Sequence, residues 1–523
     1  MKPLRIITCL LLSACAVRAD DVKLTDTYKR IRVAIDAVPA IDTHDHLRPF
    51  EQIAERDLTE NGRGMTLHSI WQGSYYTWTN PLTGWQDGGS FDAWWSKAKD
   101  DFQDARATSF YRYVLPAFQD LYGVDFETIT DEQARTLNQQ IFDNYKDDRW
   151  LHDVITNRAN IELMLVDPYW ARLKFERAYK FAVPILNVTM MVDGYHPSAI
   201  KAASDSPYVY AEHHGQPVKS LDDYLKTLDT IFEDAVAHDA VCLKSTLAYQ
   251  RTLDFQDVPK EKAERVFGRQ TAELSADEIK DFQDFIFRRL CELSAKHDLP
   301  FQIHTGQARI QGSNPMLLVD LIADNPRTKF ILFHGGFPWI GETGVIAMRH
   351  KNVWIDSVWL PQLSYTMAKR AYQEWLEIMP SDRIMWGADT VNAEGIYAAT
   401  VFTRQCLSEA LAEKVVRREM REDHAIRIGG QVMRENALKL FPKLQRHLWK
   451  ERKRAADRRW NVDGLGDASF QVDNSWRESR EENSSGRMIR SLQYSVHSQP
   501  TCAVAASPEC SVLRNRKVRF PGH

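Results

Sequence analysis

Two histidines two residues apart, His44 and His46 in Ile41-Asp42-Thr43-His44-Asp45-His46, follow a short apolar run from Val38 to Ile41. On a strand that spacing turns both rings to one face. Two imidazoles aimed at one point suggest a divalent metal; in a polar turn the same residues are ordinary surface histidines. Four more residues suited to ligation or proton transfer stand at the ends of apolar runs: Lys244, His304, His334 and Asp389. Each also has a plain structural reading. Either histidine could bond a loop carbonyl, Asp389 could cap a helix, and Lys244 could snorkel to a rim. Lys244 is the hardest to dismiss, because a buried ammonium is costly unless it is paired or chemically altered.

The elements that must position these residues alternate. Strand candidates are 38–41, 161–166, 181–186, 240–244, 300–304, 329–334, 353–356 and 383–389. Helical patterns lie between most of them, over 221–237, 275–297, 314–324, 341–350 and 364–379. Ser275 and Glu278 form a capping box at the start of the second of these helices. Short apolar strands alternating with helices predict an α/β fold, a (β/α)8 TIM barrel, since parallel strands need crossovers and are buried on both faces. The competing open doubly wound sheet lacks its Gly-rich phosphate turn here. Helices at 404–422 and 430–440 would close the barrel. On this reading all the candidate residues fall at the C-terminal ends of strands, the face where a barrel builds its site.

A Trp-rich helical insertion, 55–157, interrupts the alternation after the first strand, with Trp71, Tyr75, Tyr76, Trp78, Trp85, Trp94 and Trp95. It is expected to be part satellite core and part cap over a pocket. The barrel region, insertion included, spans 28–445. Residues 465–523 are polar, with few periodic apolar positions, and read as a poorly ordered tail; a small C-terminal subdomain is the alternative.

The chain has 523 residues, 44% hydrophobic and 26% charged, with a formal net charge of -4. No basic patch or aromatic-basic stripe stands out, which argues against nucleic acid as a partner. Lys2 and Arg5 precede an apolar segment, Ile6 to Val17, too short for a membrane span and shaped as a secretory signal over 1–19. Two exits compete: cleavage before Asp20, or a lipobox at Leu12-Ser13-Ala14-Cys15 that would leave an acylated Cys15 as a lipid anchor. The expected location is therefore exported, either periplasmic or as a membrane-anchored lipoprotein. Of seven cysteines only Cys502 and Cys510 suggest a disulfide, and no CxxC is present.

Taken together, Asp42-Thr43-His44-Asp45-His46, Leu243-Lys244-Ser245, Gln302-Ile303-His304-Thr305-Gly306, Leu332-Phe333-His334-Gly335-Gly336 and Gly387-Ala388-Asp389 resemble the amidohydrolase superfamily. Within it the chain is similar to the amidohydrolase-related (amidohydrolase 2) group that includes the N-terminal domain of glutamine-synthetase-like fusion proteins, through Leu243 to Tyr249. The resemblance covers about residues 38–445. It implies that His44, His46 and Asp389 bind a first metal, that His304 and His334 bind a second, and that a carboxylated Lys244 bridges them. Uronate isomerases are similar in their long insertion after the first strand. The loop Gln307 to Gly312 lacks the acidic residues expected of the closer group.

One or two divalent ions, Zn2+ by this resemblance, would lower the pKa of water from about 15.7 toward about 7. Asp389 would take the water's proton and return it to the leaving group. For a substrate carboxylate the candidates are Arg48 and Arg251. Tyr249 could contribute a hydroxyl and Trp339 a wall; surface pairing or loop packing explains these four equally well, and explains His196 and His213-His214 better than an approach to the metals does. The expected function is metal-dependent hydrolysis of a small amide, ester or lactone. Alternatives are an uronate-type isomerase or decarboxylase on the same barrel, and a noncatalytic exported binding protein. Oligomeric state stays open.

Overall fold

In the computed structural model the described residues are 19–448, with two short strands further on. Nine short parallel strand segments carry the fold: β1 (Ala40–Asp45), β2 (Ile161–Val166), β3 (Ala182–Pro184), β4 (Leu186–Asn187), β5 (Leu243–Ser245), β6 (Phe301–Ile303), β7 (Phe330–Leu332), β8 (Val353–Asp356) and β9 (Ile384–Met385). They form a three-stranded sheet, β1-β2-β3, and a six-stranded sheet running from β4 to β9. Every pairing among them is parallel, with Ile41 beside Leu163, Leu165 beside Val183, Leu243 beside Phe301, and Ile355 beside Ile384. Nearly all their residues are buried on both faces, as parallel strands covered by helices must be; Glu162, Val166 and Trp354 are half-buried.

Ile185 alone separates β3 from β4; it donates to Val166 O, and Leu186 donates to Cys242 O, so one run of chain serves both sheets. At the other flank the expected single closed ladder is broken for a local reason. β9 is two residues long, and Asp389 beyond it has φ 53°. There Asp42 Oδ1 accepts N–H bonds from Ala388 (3.0 Å) and His44 (3.1 Å), standing in for a ladder carbonyl. Thr43 N to Trp386 O (3.3 Å) and Asp389 N to His44 O (3.0 Å) also connect β1 to the chain after β9. β6, β7 and β9 stop short of the expected runs, whose last residues, His304, His334 and Asp389, leave the ladder, whereas β8 keeps its expected bounds and β5 starts later and ends at Ser245.

Between strands lie the helices Leu221–Ala237, Ala276–His297, Ile340–Arg349 and Tyr365–Ile378, close to their expected bounds. Ser275 caps the second, accepting Glu278 N at 3.2 Å while Glu278 Oε2 accepts Ser275 N at 2.9 Å. The segment 314–324 is instead a 3-10 turn, Pro315–Leu318, followed by the short helix Val319–Asp324. The expected helix over 404–422 is the end of a longer one, Ala393–Val416, buried along nearly its whole length. A helix buried on all sides needs neighbours on all sides, and Asp26–Asp36, Tyr365–Ile378 and Leu115–Tyr122 pack against it.

The stretch between β1 and β2 has an aromatic core of its own. Trp71 is fully buried, stacked on Tyr111 with centroids 5.4 Å apart and 5.1 Å from Phe126. Glu394, buried in the first turn of Ala393–Val416, accepts bonds from Tyr122 (2.6 Å), Tyr145 (2.6 Å) and Trp150 (2.8 Å) of this stretch.

Residues 1–18, including the expected leader and Cys15, and Cys502 and Cys510 lie outside the described residues. Cys242, Cys291 and Cys406 are buried and unpaired. No helix among the described residues is long and apolar enough to cross a membrane. Of the expected tail, 465–523, the described part is an antiparallel pair, Ser479–Glu482 with Met488–Ser491.

Replacing Glu394 with alanine strands buried donors of three side chains at once, at about 1–3 kcal/mol each before relaxation. The expected result is a fall in melting temperature that Glu394→Gln, which keeps a carbonyl acceptor, reduces. An Ala variant melting with the wild type would refute the role.

Candidate metal centre

The first histidine is oriented by an amide. His44 Nδ1 lies 3.1 Å from Gln302 Oε1, and Gln302 Nε2 donates to Thr43 O at 2.8 Å. With the amide nitrogen committed, its oxygen must face the ring, so His44 carries its proton on Nδ1. His44 Nε2 is then a bare lone pair, fully buried, with no hydrogen-bond partner among the described residues. Burial holds the ring pKa well below its ordinary value, and Lys244 and His46 lower it further. A neutral imidazole whose outer N–H is fixed and whose other nitrogen is unmet has the form of a metal ligand.

The same logic applies after β6 and β7. His334 Nδ1 donates to Val358 O at 3.0 Å, and His304 Nε2 donates to Gln307 O at 2.9 Å. Each ring is left with one lone pair, and these two nitrogens, His334 Nε2 and His304 Nδ1, face each other at 3.0 Å. Burial lowers both pKa values, that of His334 to about 4. Two lone pairs at that distance repel unless a proton or a metal ion lies between or beside them. The approach depends on glycine: a Cβ on Gly306, at φ +80°, would lie 2.2 Å from the backbone oxygen of Phe337.

His46 Nε2 sits 3.1 Å from Asp389 Oδ1. Burial alone would raise Asp389, but the bond and charge of His46, with His44 and His334, hold it well below the ordinary carboxylate range. Its left-handed backbone is a costly conformation for a residue with a Cβ. One carboxylate escaped the reading from sequence. Asp167, the residue after β2, is fully buried, and its oxygens accept Asn187 Nδ2 at 2.9 and 3.0 Å. Ligand atoms of His44, His46 and Asp167 all lie within 4.8 Å of one another. Its position one residue past an apolar strand was the available signal. The donor set of imidazoles with lone pairs and ionisable carboxylates fits a divalent ion.

Lys244 is buried, with its Nζ 3.6 Å from the centre of the Phe333 ring. Burial brings its pKa down to about 8, against the pull of Asp389, Asp167 and Asp356. Burial also lifts Asp356 to about 6; its Oδ2 accepts Thr43 Oγ1 at 2.5 Å. Asp45, alternating away from the histidines, accepts Thr390 N at 3.2 Å.

A cavity of about 530 Å³ opens over this cluster, lined by His46, Asp167, Lys244, His304 and Asp389. Arg48 and Tyr249 line it too. Arg251 does not: it is spent on Asp284 (2.6 Å), Gln283 and two backbone carbonyls. Trp339 is also absent from the lining; it precedes a helix, and Trp359, after β8, takes the wall position. His196, His213 and His214 lie in the segment after β4, outside the cavity wall. Arg56 and Arg172 line the cavity without having been singled out from the sequence.

Residues 252–443 match the amidohydrolase family. Over 258 residues the chain is 28% identical to Protein fluG of Emericella nidulans, a match covering 44% of this chain and 30% of that one. Its fold is similar to that of uronate isomerase from Thermotoga maritima, with TM-score 0.64 and 14% identity over 81% of this chain and 99% of the other. It is also similar to a proposed metal-dependent hydrolase of Lactobacillus casei, with TM-score 0.54 and 16% identity over 80% and 98% of the two chains. At such identities the structural likeness is one of fold, of the TIM-barrel type. The match to the amidohydrolase family covers less than half of this chain, and the chain spans about a third of the length of the fungal relative. This chain is an enzyme.

Gln302→Leu removes the group that keeps the proton on His44 Nδ1. The expected outcome is a metal affinity lower by about 10–100-fold, the usual cost of losing such a support, measured by competition with a chelator. Unchanged retention would refute the tautomer argument.

Proposed function

We propose that the protein is a metal-dependent hydrolase that cleaves a C–N or C–O bond of a small amide, ester or lactone, and that its ion is Zn2+. The observation that carries this reading is the set of buried imidazole nitrogens left without protons, His44 Nε2, His304 Nδ1 and His334 Nε2, beneath a cavity that also holds Asp389. His44, His46 and Asp167 would hold one ion beside Asp389, with His304 and His334 as donors for a second. An ion bound there supplies an acidified water and an electrophile for a carbonyl oxygen.

The other steps fall to this chain's side chains. Asp389 enters the reaction ionised, since His46 keeps its pKa low. It can therefore accept a proton from the attacking water, and its conjugate acid is strong enough to pass that proton to the departing nitrogen or oxygen. Tyr249, its ring centroid 4.3 Å from that of His304, brings a hydroxyl-bearing ring to the same floor. Lys244, with a pKa of about 8, has some neutral amine at neutral pH. That amine can add carbon dioxide with loss of a proton, turning a costly buried cation into an anionic donor.

A second reading, an uronate-type isomerase or a decarboxylase, is favoured by the likeness to uronate isomerase over 81% of this chain. There Asp389 would move a proton between carbon atoms instead. Metal-loaded protein screened against N-acyl amino acids, esters, lactones and sugar acids separates the two. The expected result is hydrolysis, with Asp389→Asn lowering kcat by about 10²–10⁴-fold; full turnover in that variant would remove Asp389 as the proton carrier, and sugar-acid interconversion alone would favour the second reading.

Metal-loaded protein equilibrated with ¹³C-bicarbonate is expected to show a carbamate carbon signal that Lys244→Met abolishes. A signal that survives this substitution, or none at full metal loading, counts against carboxylation.

A further inference from the structure

The cavity has two chemically different sides. Its lining includes three arginines, Arg48, Arg56 and Arg172, against two carboxylates, Asp167 and Asp389. Arg56 is exposed and has no hydrogen-bond or ion-pair partner among the described residues. Arg172 bonds Asp205 through Nη1, and its buried Nε has no partner among the described residues. Arg48 donates to Tyr169 OH at 2.9 Å, and the Tyr169 ring lies 5.0 Å from that of His46. This places the Arg48 guanidinium on the His46 side of the floor.

Aromatic rings cluster beside His304 and His334. Tyr249 packs on His304, and Trp359 lies 5.3 Å from His334 between centroids. Trp78 meets Trp359 edge to face at 5.1 Å, and Tyr75 lies 4.9 Å from Trp359. Trp78 and Tyr249 remain 47% and 41% exposed, a large share for rings that already have aromatic neighbours. Exposed flat rings beside a reactive floor are surfaces for a flat or apolar group.

We infer that the substrate is an amphipathic anion, with its carboxylate held by Arg48 on the His46 side, helped by Arg56 of the same cavity lining, and a flat apolar ring on the Trp78–Tyr249 side. The bond to be broken lies between the two. For an amide this describes an N-aroyl amino acid. The inference rests on the reading of this cavity as the hydrolase's substrate site, and its test reads binding apart from turnover.

Three probes, N-benzoylglycine, its methyl ester and N-acetylglycine, would be titrated against Zn2+-loaded protein by calorimetry, with products analysed in parallel and KM used where turnover occurs. N-benzoylglycine should bind at least about tenfold more tightly than either of the others, since each lacks one half of the recognition. Arg48→Met and Arg56→Met should weaken N-benzoylglycine about tenfold and leave the ester unchanged, with Arg48→Lys recovering part of the loss; Trp78→Ala should weaken the benzoyl probes and spare N-acetylglycine. A misfolded variant would lose all three probes together, and the melting curve identifies it. Equal binding of acid and ester, equal binding of benzoyl and acetyl probes, or no binding of N-benzoylglycine at millimolar concentration overturns the inference. Selective binding without hydrolysis sustains it and counts against the hydrolase; hydrolysis without selectivity does the reverse.

Discussion

The arrangement depends on the joint between β1 and the chain that follows β9. Asp42, one turn of the pleat before His44, spends one carboxylate oxygen on two backbone N–H groups, those of His44 and Ala388. Thr43 reaches Trp386, and Asp389 N reaches His44 O. These bonds join segments more than 340 residues apart in sequence. They put His46 and Asp389 in contact, which no local preference could do. The cost is visible: burial pushes Asp42 and Asp45 well above the ordinary carboxylate range, and Asp389 adopts a left-handed backbone. Such expense at one joint is typical of sites that trade stability for placement.

Around that joint the chemistry is arranged by groups that touch no substrate. Gln302 decides which nitrogen of His44 is bare, Val358 O decides it for His334, and Gln307 O for His304. Neutral imidazoles with fixed outer protons are good donors to a cation and poor ones to anything else. The neighbouring carboxylates are treated differently. Asn187 steadies Asp167, while His46 depresses Asp389.

The cavity above this floor is built by loops and by the aromatic stretch between β1 and β2, tied down by Glu394. That construction explains why two of the four residues first singled out for substrate contact line the cavity and two do not. Arg48 lies three residues past the end of β1 and so stays close to its placement. Arg251 lies farther along a loop, where Asp284 captures it, and Trp359 rather than Trp339 reaches the wall.

The pattern of residues by itself determined the parallel α/β class, the shared face of His44 and His46, and the coincidence of His304, His334 and Asp389 with strand ends. Those features follow from periods of two and 3.6 residues and from apolar runs, which are local properties. Only the tertiary structure decided that Asp167 joins the histidines, which ring nitrogens are bare, and that the cavity has a cationic and an aromatic side. A lone aspartate after a strand carries no signal until Asn187 and two histidines meet it, and a tautomer exists only once its partner is in place. Distances between residues hundreds of positions apart depend on how the strands pack, and the same distances turn six scattered polar residues into one floor.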